Sequence, residues 1–122
     1  MALPGPAYLV ALVETLVVEV PIYAVALRWG RLLAVGRAVA VAVLANLLTH
    51  PVVWFVLVHG PVSWWRFGLA EAGAVLVETA VVWLFTRRDP AAIPVVALLA
   101  LVANTASVLA GFGLGRLVAG GR

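Results

Sequence analysis

The sequence has no cysteine, no lysine and only five acidic residues among its 122 positions. Without cysteine, the chain can form no disulfide, no thiolate metal site and no cysteine nucleophile. Hydrophobic residues make up 66% of the sequence and charged residues 11%, and the mean hydropathy is +1.18. Soluble domains have about 45 to 50% apolar and about 25% charged residues. The composition therefore predicts an integral membrane protein.

Arginine, proline and glycine residues divide the apolar sequence into four runs. Each run meets the length of about 20 mostly apolar residues that a helix needs to cross the bilayer core. We predict an all-α, polytopic protein with a single membrane domain over residues 1–122. Its four transmembrane helices are expected at residues 9–27, 38–58, 67–86 and 93–117.

The distribution of arginine predicts the orientation of the chain in the membrane. Five arginines lie in the two predicted loops on one side: Arg28, Arg31, Arg37, Arg87 and Arg88. The other side has Arg66, Arg116 and Arg122. Because arginine and lysine favour cytoplasmic loops, both termini are expected outside, in the inner (cell) membrane of a bacterium or archaeon. No basic patch with interleaved aromatics is present, so lipid headgroups, and not nucleic acid, are the expected partners.

Aromatic residues near the predicted helix ends are expected to form two interfacial belts. One belt would contain Tyr8, Trp54, Trp64 and Trp65, and the other Tyr23, Trp29, Trp83 and Phe85.

Polar side chains recur near the middle of every predicted helix. At a rise of about 1.5 Å per residue, six of them lie within roughly 6 Å of the centre of their spans. They are Glu19, Asn46, His50, Glu78, Asn104 and Ser107. A charged side chain at that depth costs about 2.5 to 3.5 kcal/mol, so these side chains are expected to face the bundle interior.

The two central glutamates suggest transport. A carboxyl group in hydrocarbon costs far less when neutral than when charged, so an embedded glutamate can hold a proton and exchange it for a cation. We predict a transporter or channel for protons or small cations, in which Glu19 and Glu78 titrate or bind the ion. Asn46, His50 and Asn104 would be neutral ligands, with secondary roles for Glu14, Glu71, Thr49, Ser107 and Tyr23. The species of metal or cation stays open, and no cofactor is expected.

The alternative is an accessory or scaffold subunit of a larger membrane complex. In that case the same polar residues would hydrogen-bond the helices together. Ser107, Gly111 and Gly115 form a stripe of small residues at four-residue spacing, which favours close helix packing. Since four helices enclose little space, we expect either a homo-oligomer or a membrane protein partner.

Two prolines are predicted hinges. Pro51 removes a backbone hydrogen bond inside the second helix and frees the carbonyl of Leu47, beside the imidazole of His50. That arrangement would suit either an ion site or a packing kink. Pro21 is expected to bend the first helix in the same way.

The two halves of the chain have similar spacing. Glu19 precedes Arg28 by nine residues, as Glu78 precedes Arg87, and Asn46 and Asn104 follow their glutamates by 27 and 26 residues. This pattern predicts two parallel helix-hairpin repeats, as in some transporters. A second register, which aligns residues 12–15 with residues 76–79, is also open.

Sequence motifs of the common enzyme classes are missing. The chain has no G-x-x-x-x-G-K-[ST], G-x-S-x-G or H-E-x-x-H pattern. His50 and His59 lie near opposite depths and do not form a zinc pair. We therefore do not expect an enzyme.

Two segments carry a resemblance to other membrane proteins. Glu19-Val-Pro21-Ile-Tyr23 and Ala45-Asn46-Leu-Leu-Thr49-His50-Pro51-Val-Val-Trp54 resemble a pattern in small four-helix bacterial membrane proteins of uncharacterised activity. The resemblance covers the first half of the chain and, through Ala103-Asn104, part of the second. The small size and the membrane-embedded Glu14 also resemble small multidrug resistance transporters, although the aromatic and glycine signature of that family is missing. This second resemblance implies a class of mechanism and not an identity.

Overall fold

Four long helices form nearly the whole structure. The computed structural model describes residues 5–61 and 63–121. In chain order the helices are α1 (Pro6–Trp29), α2 (Val35–Val58), α3 (Trp64–Phe85) and α4 (Ile93–Gly120), with a short 3-10 turn at Pro90–Ala92. Each of the four is long and apolar enough to cross a membrane, and no strand occurs within the described ranges. The predicted all-α, four-helix polytopic fold is confirmed, and the protein is an integral multi-pass membrane protein.

Three helices begin three residues earlier than the apolar pattern indicates. The first turn of α1 contains Pro6, which suits a helix start because the first N–H groups need no partner inside the helix. Arg37 and Arg66 lie in the first turns of α2 and α3, and Arg28 lies in the last turn of α1, so these arginines are not loop residues as predicted. Arg122 lies outside the described residues.

The helices pack as a ring in which α1 and α3 each contact both α2 and α4. Residues 30–34 join α1 to α2, and residues 86–92 join α3 to α4, at one end of the bundle. We call this the loop end. The last turn of α2, the first turn of α3, the first turn of α1 and the last turn of α4 lie at the opposite end, which we call the termini end.

The apolar core fills the loop end only. It consists of Tyr23, Leu27, Leu33, Ala38, Val41, Ala42, Val82, Val96, Ala100 and Ala103. Towards the termini end, α2 has no buried residue after Thr49, α3 has none before Ala74 and α4 has none after Ser107, within the part of the chain that is described. The helices are therefore packed more closely at the loop end than at the termini end. There, aromatic contacts join α1 to α2 (Tyr8 with Trp54) and α3 to α4 (Phe67 with Phe112).

Arg66 fixes the connection between α2 and α3. Its guanidinium donates hydrogen bonds to the carbonyl oxygens of His59 (2.8 Å), Pro61 (3.3 Å) and Val56 (3.4 Å). Carbonyl groups at a helix C-terminus lack partners within the helix, so these bonds stabilise the end of α2. Gly60, at φ 125°, adopts a conformation that L-residues rarely take and leaves room for the guanidinium.

The two interior prolines lie on the outer surface of the bundle. Pro21 and Pro51 are exposed, and α1 and α2 continue through them without interruption. Large apolar side chains cover the same surface, for example Val17, Val52 and Leu76, each more than 60% exposed. This surface suits contact with lipid tails.

Candidate functional site

A polar cavity of about 280 Å³ lies between the four helices, directly beneath the apolar core. All five residues predicted as primary ligands line it: Glu19, Asn46, His50, Glu78 and Asn104. Four of the five secondary residues also line it, namely Glu14, Thr49, Glu71 and Ser107. The mouth towards the termini end is formed by apolar and aromatic side chains, including Trp54, Leu57, Phe67 and Phe112. The cavity is thus open at one end of the bundle and closed by the core at the other.

Glu78 is the most fully hydrogen-bonded side chain in the cavity. Its Oε2 accepts from the Tyr23 hydroxyl and from Asn104 Nδ2, both at 2.7 Å. The Thr49 hydroxyl lies 3.0 Å from its Oε1. These partners come from α1, α4 and α2, so the Glu78 carboxyl on α3 connects all four helices.

Glu19 has one free carboxyl oxygen. Its Oε1 lies 2.5 Å from the Ser107 hydroxyl of α4. Its Oε2 is buried and has no hydrogen-bond partner among the described residues. The side chain is only 1% exposed, and a buried oxygen without a donor costs free energy that a bound proton, cation or water can recover.

Asn46 and Asn104 hold equivalent positions on their helices. Asn46 Nδ2 donates to the carbonyl of Ala42 at 3.0 Å, and Asn104 Nδ2 donates to the carbonyl of Ala100 at 2.9 Å. An amide nitrogen has two hydrogens, so each asparagine side chain has one N–H left to donate outside its own helix. Asn104 donates it to Glu78, whereas the Asn46 amide lies beside the carboxyl of Glu19.

In both halves of the chain, the hydroxyl residue three positions after the asparagine contacts the glutamate of the other half. Ser107 follows Asn104 by three residues and contacts Glu19, in the first half of the chain. Thr49 follows Asn46 by three residues and contacts Glu78, in the second half. Each carboxyl group therefore has an asparagine from its own half and a hydroxyl from the other half beside it.

His50 lies at the side of the cavity, against the first turn of α1. Its ring centroid is 5.3 Å from that of Tyr8, and the Tyr8 ring also contacts Trp54 at 5.7 Å. The His50 Nε2 is buried and finds no hydrogen-bond partner in residues 5–61 and 63–121. Glu14 Oε1 is likewise buried without a partner in the described part of the chain, so three polar atoms of cavity-lining residues are available to a ligand: Glu14 Oε1, Glu19 Oε2 and His50 Nε2.

The cavity and a groove on the outside of α1 and α4 share part of their walls. Ala11, Glu14 and Gly111 line both the cavity and a groove of about 660 Å³ on the outside of these helices. Gly115 lines only the groove, and a Cβ added there would meet no atom within 4 Å. The predicted small-residue stripe is therefore divided, because Ser107 contacts α1 through Glu19, whereas Gly115 has no close helix neighbour within the described chain.

Tyr23 is not an interfacial residue, and its place in the predicted aromatic belt is wrong. The side chain is fully buried and donates to Glu78 across the bundle. The pairing of Ser107 with Glu19 and of Thr49 with Glu78 was not foreseen either. The repeated Asn-x-x-Ser/Thr spacing in α2 and α4 is the sequence signal that could have indicated it.

The cavity wall carries acidic groups and no arginine. Four of its lining residues are glutamates, and none of the described arginines lines it. No group of three or more His, Asp or Glu side chains within the described ranges has the arrangement of a metal site. The wall thus suits a proton or a small hydrated cation better than an anion.

Comparisons with protein-family models, with curated proteins and with solved structures found no match to this chain.

Proposed function

We propose that this protein transports protons or small cations across the membrane through the cavity, with Glu19 and Glu78 as the binding groups. The observation that carries the proposal is the Glu19 carboxyl, which is 1% exposed and whose Oε2 has no donor among the described residues. An acidic oxygen without a partner at mid-membrane depth is costly unless it serves a ligand. Its place at the closed end of the cavity supports an ion site.

The hydroxyl contacts support the exchange of a proton at each carboxyl. The Thr49 hydroxyl has one hydrogen but two acceptors in range, Glu78 Oε1 at 3.0 Å and the carbonyl of Ala45 at 3.1 Å. If Glu78 holds a proton on Oε1, it donates to Thr49, which donates to Ala45. If Glu78 is charged, the hydroxyl turns to donate to it. Both states are hydrogen-bonded, and they differ by one proton and a hydroxyl rotation.

The Ser107 hydroxyl beside Glu19 also has two acceptors within range. It lies 2.5 Å from Glu19 Oε1 and 3.0 Å from the carbonyl of Asn104. A proton can therefore bind or leave at either carboxyl without movement of heavy atoms. A cation that displaces the proton would find the oxygens of Glu19, the Asn46 side chain and the His50 Nε2 along the same wall.

The shape of the bundle supports access from one side at a time. The cavity opens at the termini end, and the apolar core closes the loop end. Release to the other side would require the helices to separate at the loop end and approach one another at the termini end. The repeated contacts of Glu19 and Glu78 support a description of the protein as two parallel repeats that rock against each other. Pro21 and Pro51 would be the hinges.

Ion flux through the purified protein in liposomes tests the proposal. Proton flux and a panel of monovalent and divalent cations would be measured for the wild type, Glu19→Gln, Glu78→Gln and Asp89→Asn. Asp89 is the matched control because it is the acidic residue outside the four helices, and its Oδ1 accepts from the backbone N–H of Ala91, a bond that asparagine can keep. We expect flux in the wild type and Asp89→Asn, and its loss in both glutamate variants. Unchanged flux in the glutamate variants, or no flux through folded wild type, would overturn the proposal.

A second function, that of an accessory subunit, is favoured by the exposed end of α4. Every described residue from Gly111 onwards is exposed, and the groove beside Gly115 is unfilled. A helix of another membrane protein could pack there, with the polar cavity serving only to hold the four helices together. The flux experiment separates the two functions, because an accessory subunit would carry no ion by itself.

A further inference from the structure

A recess lined by four arginines lies at the loop end, away from the polar cavity. Its volume is about 510 Å³, and its basic lining residues are Arg28, Arg31, Arg37 and Arg87. The first three come from the α1–α2 turn and its flanking helix ends, and Arg87 comes from the α3–α4 turn. Half of the eight basic residues of the sequence therefore surround one recess.

The positive charge of the recess is not balanced locally. No acidic residue of the described chain lines it. Asp89 is the acid in the neighbouring turn, and its Oδ1 accepts from the N–H of Ala91 instead. Four like charges around one recess repel one another, and an anion bound between them would relieve that repulsion.

Hydrogen bonds fix the backbone of the α1–α2 turn, which contains Arg31. The N–H groups of Leu32 and Leu33 both donate to the carbonyl of Leu27, at 2.9 and 3.2 Å. Leu33 is also part of the apolar core. Arg31 lies between these contacts with φ 57°, a left-handed conformation that glycine would adopt without steric cost. The chain thus accepts backbone strain at a position where arginine supplies a side chain to the recess.

We propose that this recess binds the phosphate headgroup of an anionic lipid. Arginine binds phosphate oxygens through paired hydrogen bonds, and the recess lies at the ends of the membrane-spanning helices, where headgroups are found. Its remaining lining is apolar and includes Leu32 and Phe85, beside which the start of an acyl chain can lie. Basic pockets at this depth are known to bind acidic headgroups. The site does not depend on the proposed transport function.

Lipid titration of the purified protein tests this site. Phosphatidylglycerol and phosphatidylcholine with the same acyl chains would be added in detergent, and bound lipid would be measured by native mass spectrometry together with the thermal midpoint of unfolding. The recess variant is Arg28→Gln with Arg87→Gln. The control is Arg88→Gln with Arg116→Gln, which removes the same charge from arginines that do not line the recess.

We expect phosphatidylglycerol, and not phosphatidylcholine, to bind and to raise the midpoint in the wild type and in the control. Affinity should fall about tenfold or more in the recess variant, because charge-assisted hydrogen bonds are lost. If the double variant does not fold, Arg87→Gln and the adjacent Arg88→Gln provide the same comparison. Equal losses in recess and control variants would overturn the site. Equal protection by inorganic phosphate or glycerol phosphate would overturn the lipid as its ligand.

Discussion

The hydroxyl of Tyr23 on α1 donates a 2.7 Å hydrogen bond to Glu78 on α3, diagonally across the bundle. Tyr23 belongs to the apolar core that closes the loop end, whereas Glu78 lines the cavity. This bond therefore connects the closed part of the bundle to a proposed ion-binding carboxyl. A change of charge or hydrogen bonding at Glu78 would act directly on the packing of the core.

Replacing Tyr23 with phenylalanine is expected to destabilise the bundle. The change removes one buried hydrogen bond and keeps the ring, so the free energy of unfolding should fall by about 0.6 to 2 kcal/mol. Unfolding by sodium dodecyl sulfate in mixed micelles measures it. Tyr8→Phe is the matched control, because the Tyr8 hydroxyl has no hydrogen bond among the described residues, although its ring is also buried. Equal losses in the two variants would show that the Tyr23 bond contributes nothing specific.

Glu78→Gln is expected to fold with nearly wild-type stability but without ion flux. A glutamine can accept from Tyr23 and Asn104 through its oxygen and donate to Thr49 through its nitrogen, as the protonated acid would. Glu78→Ala leaves the Tyr23 hydroxyl and one N–H of Asn104 without an acceptor, at a cost of about 1 to 3 kcal/mol for each, whereas the Thr49 hydroxyl can still donate to the carbonyl of Ala45. Unfolding and flux measured on the same preparations separate the two effects. A glutamine variant as unstable as the alanine variant would indicate that Glu78 is needed as a charged acceptor.

The depth of the polar layer was predictable from the sequence. Helical rise fixes the position of Glu19 and Glu78 along their spans, and the cost of a charge in lipid turns them inward. The packing partners were not predictable, since they depend on which helices are neighbours. Thr49 contacts Glu78 on α3, although α2 packs against both α1 and α3, and the spacing of the sequence does not indicate which of the two helices Thr49 faces.

The errors at helix ends have a similar origin. An apolar window ends where charged or aromatic residues begin, but a helix continues through Arg37 or Trp64 because their backbones can still form the first turn. Tyr23 was placed at an interface because aromatic residues near span ends usually lie there. Its hydroxyl instead finds a buried acceptor, and that acceptor comes from a helix more than fifty residues away in sequence.

Ser107→Ala is expected to weaken both the bundle and the binding of a proton at Glu19. Ser107 supplies the hydrogen-bond contact of Glu19 Oε1, so its loss should cost about 0.6 to 1.7 kcal/mol. Proton flux should fall, because Glu19 would have no hydroxyl with which to share the proton. Thr105→Ala, two residues away and exposed, is the control and should change neither quantity.

A double-mutant cycle shows whether that effect passes through Glu19. Combining Ser107→Ala with Glu19→Gln should give a coupling energy of about 0.5 kcal/mol or more, as for residues in direct contact. The same cycle with Glu71→Gln should give a smaller coupling, since Glu71 lines the cavity without a hydrogen bond to Ser107. Equal couplings would contradict the assignment of Ser107 to Glu19.

Single cysteines are expected to react at the open end of the bundle and not in the core. The sequence contains no cysteine of its own, so each introduced thiol gives its own signal. Ala11→Cys and Val53→Cys place the thiol in the cavity wall, whereas Ala42→Cys and Ala100→Cys place it in the fully buried core. A charged, membrane-impermeant thiol reagent added to the termini side should label the first pair about tenfold faster or more, because reactivity follows access and thiolate character. After unfolding, all four should label alike, which shows that the core thiols are intact. Similar rates in the folded protein would mean that the loop end is not closed, and that the one-sided access required for transport is missing.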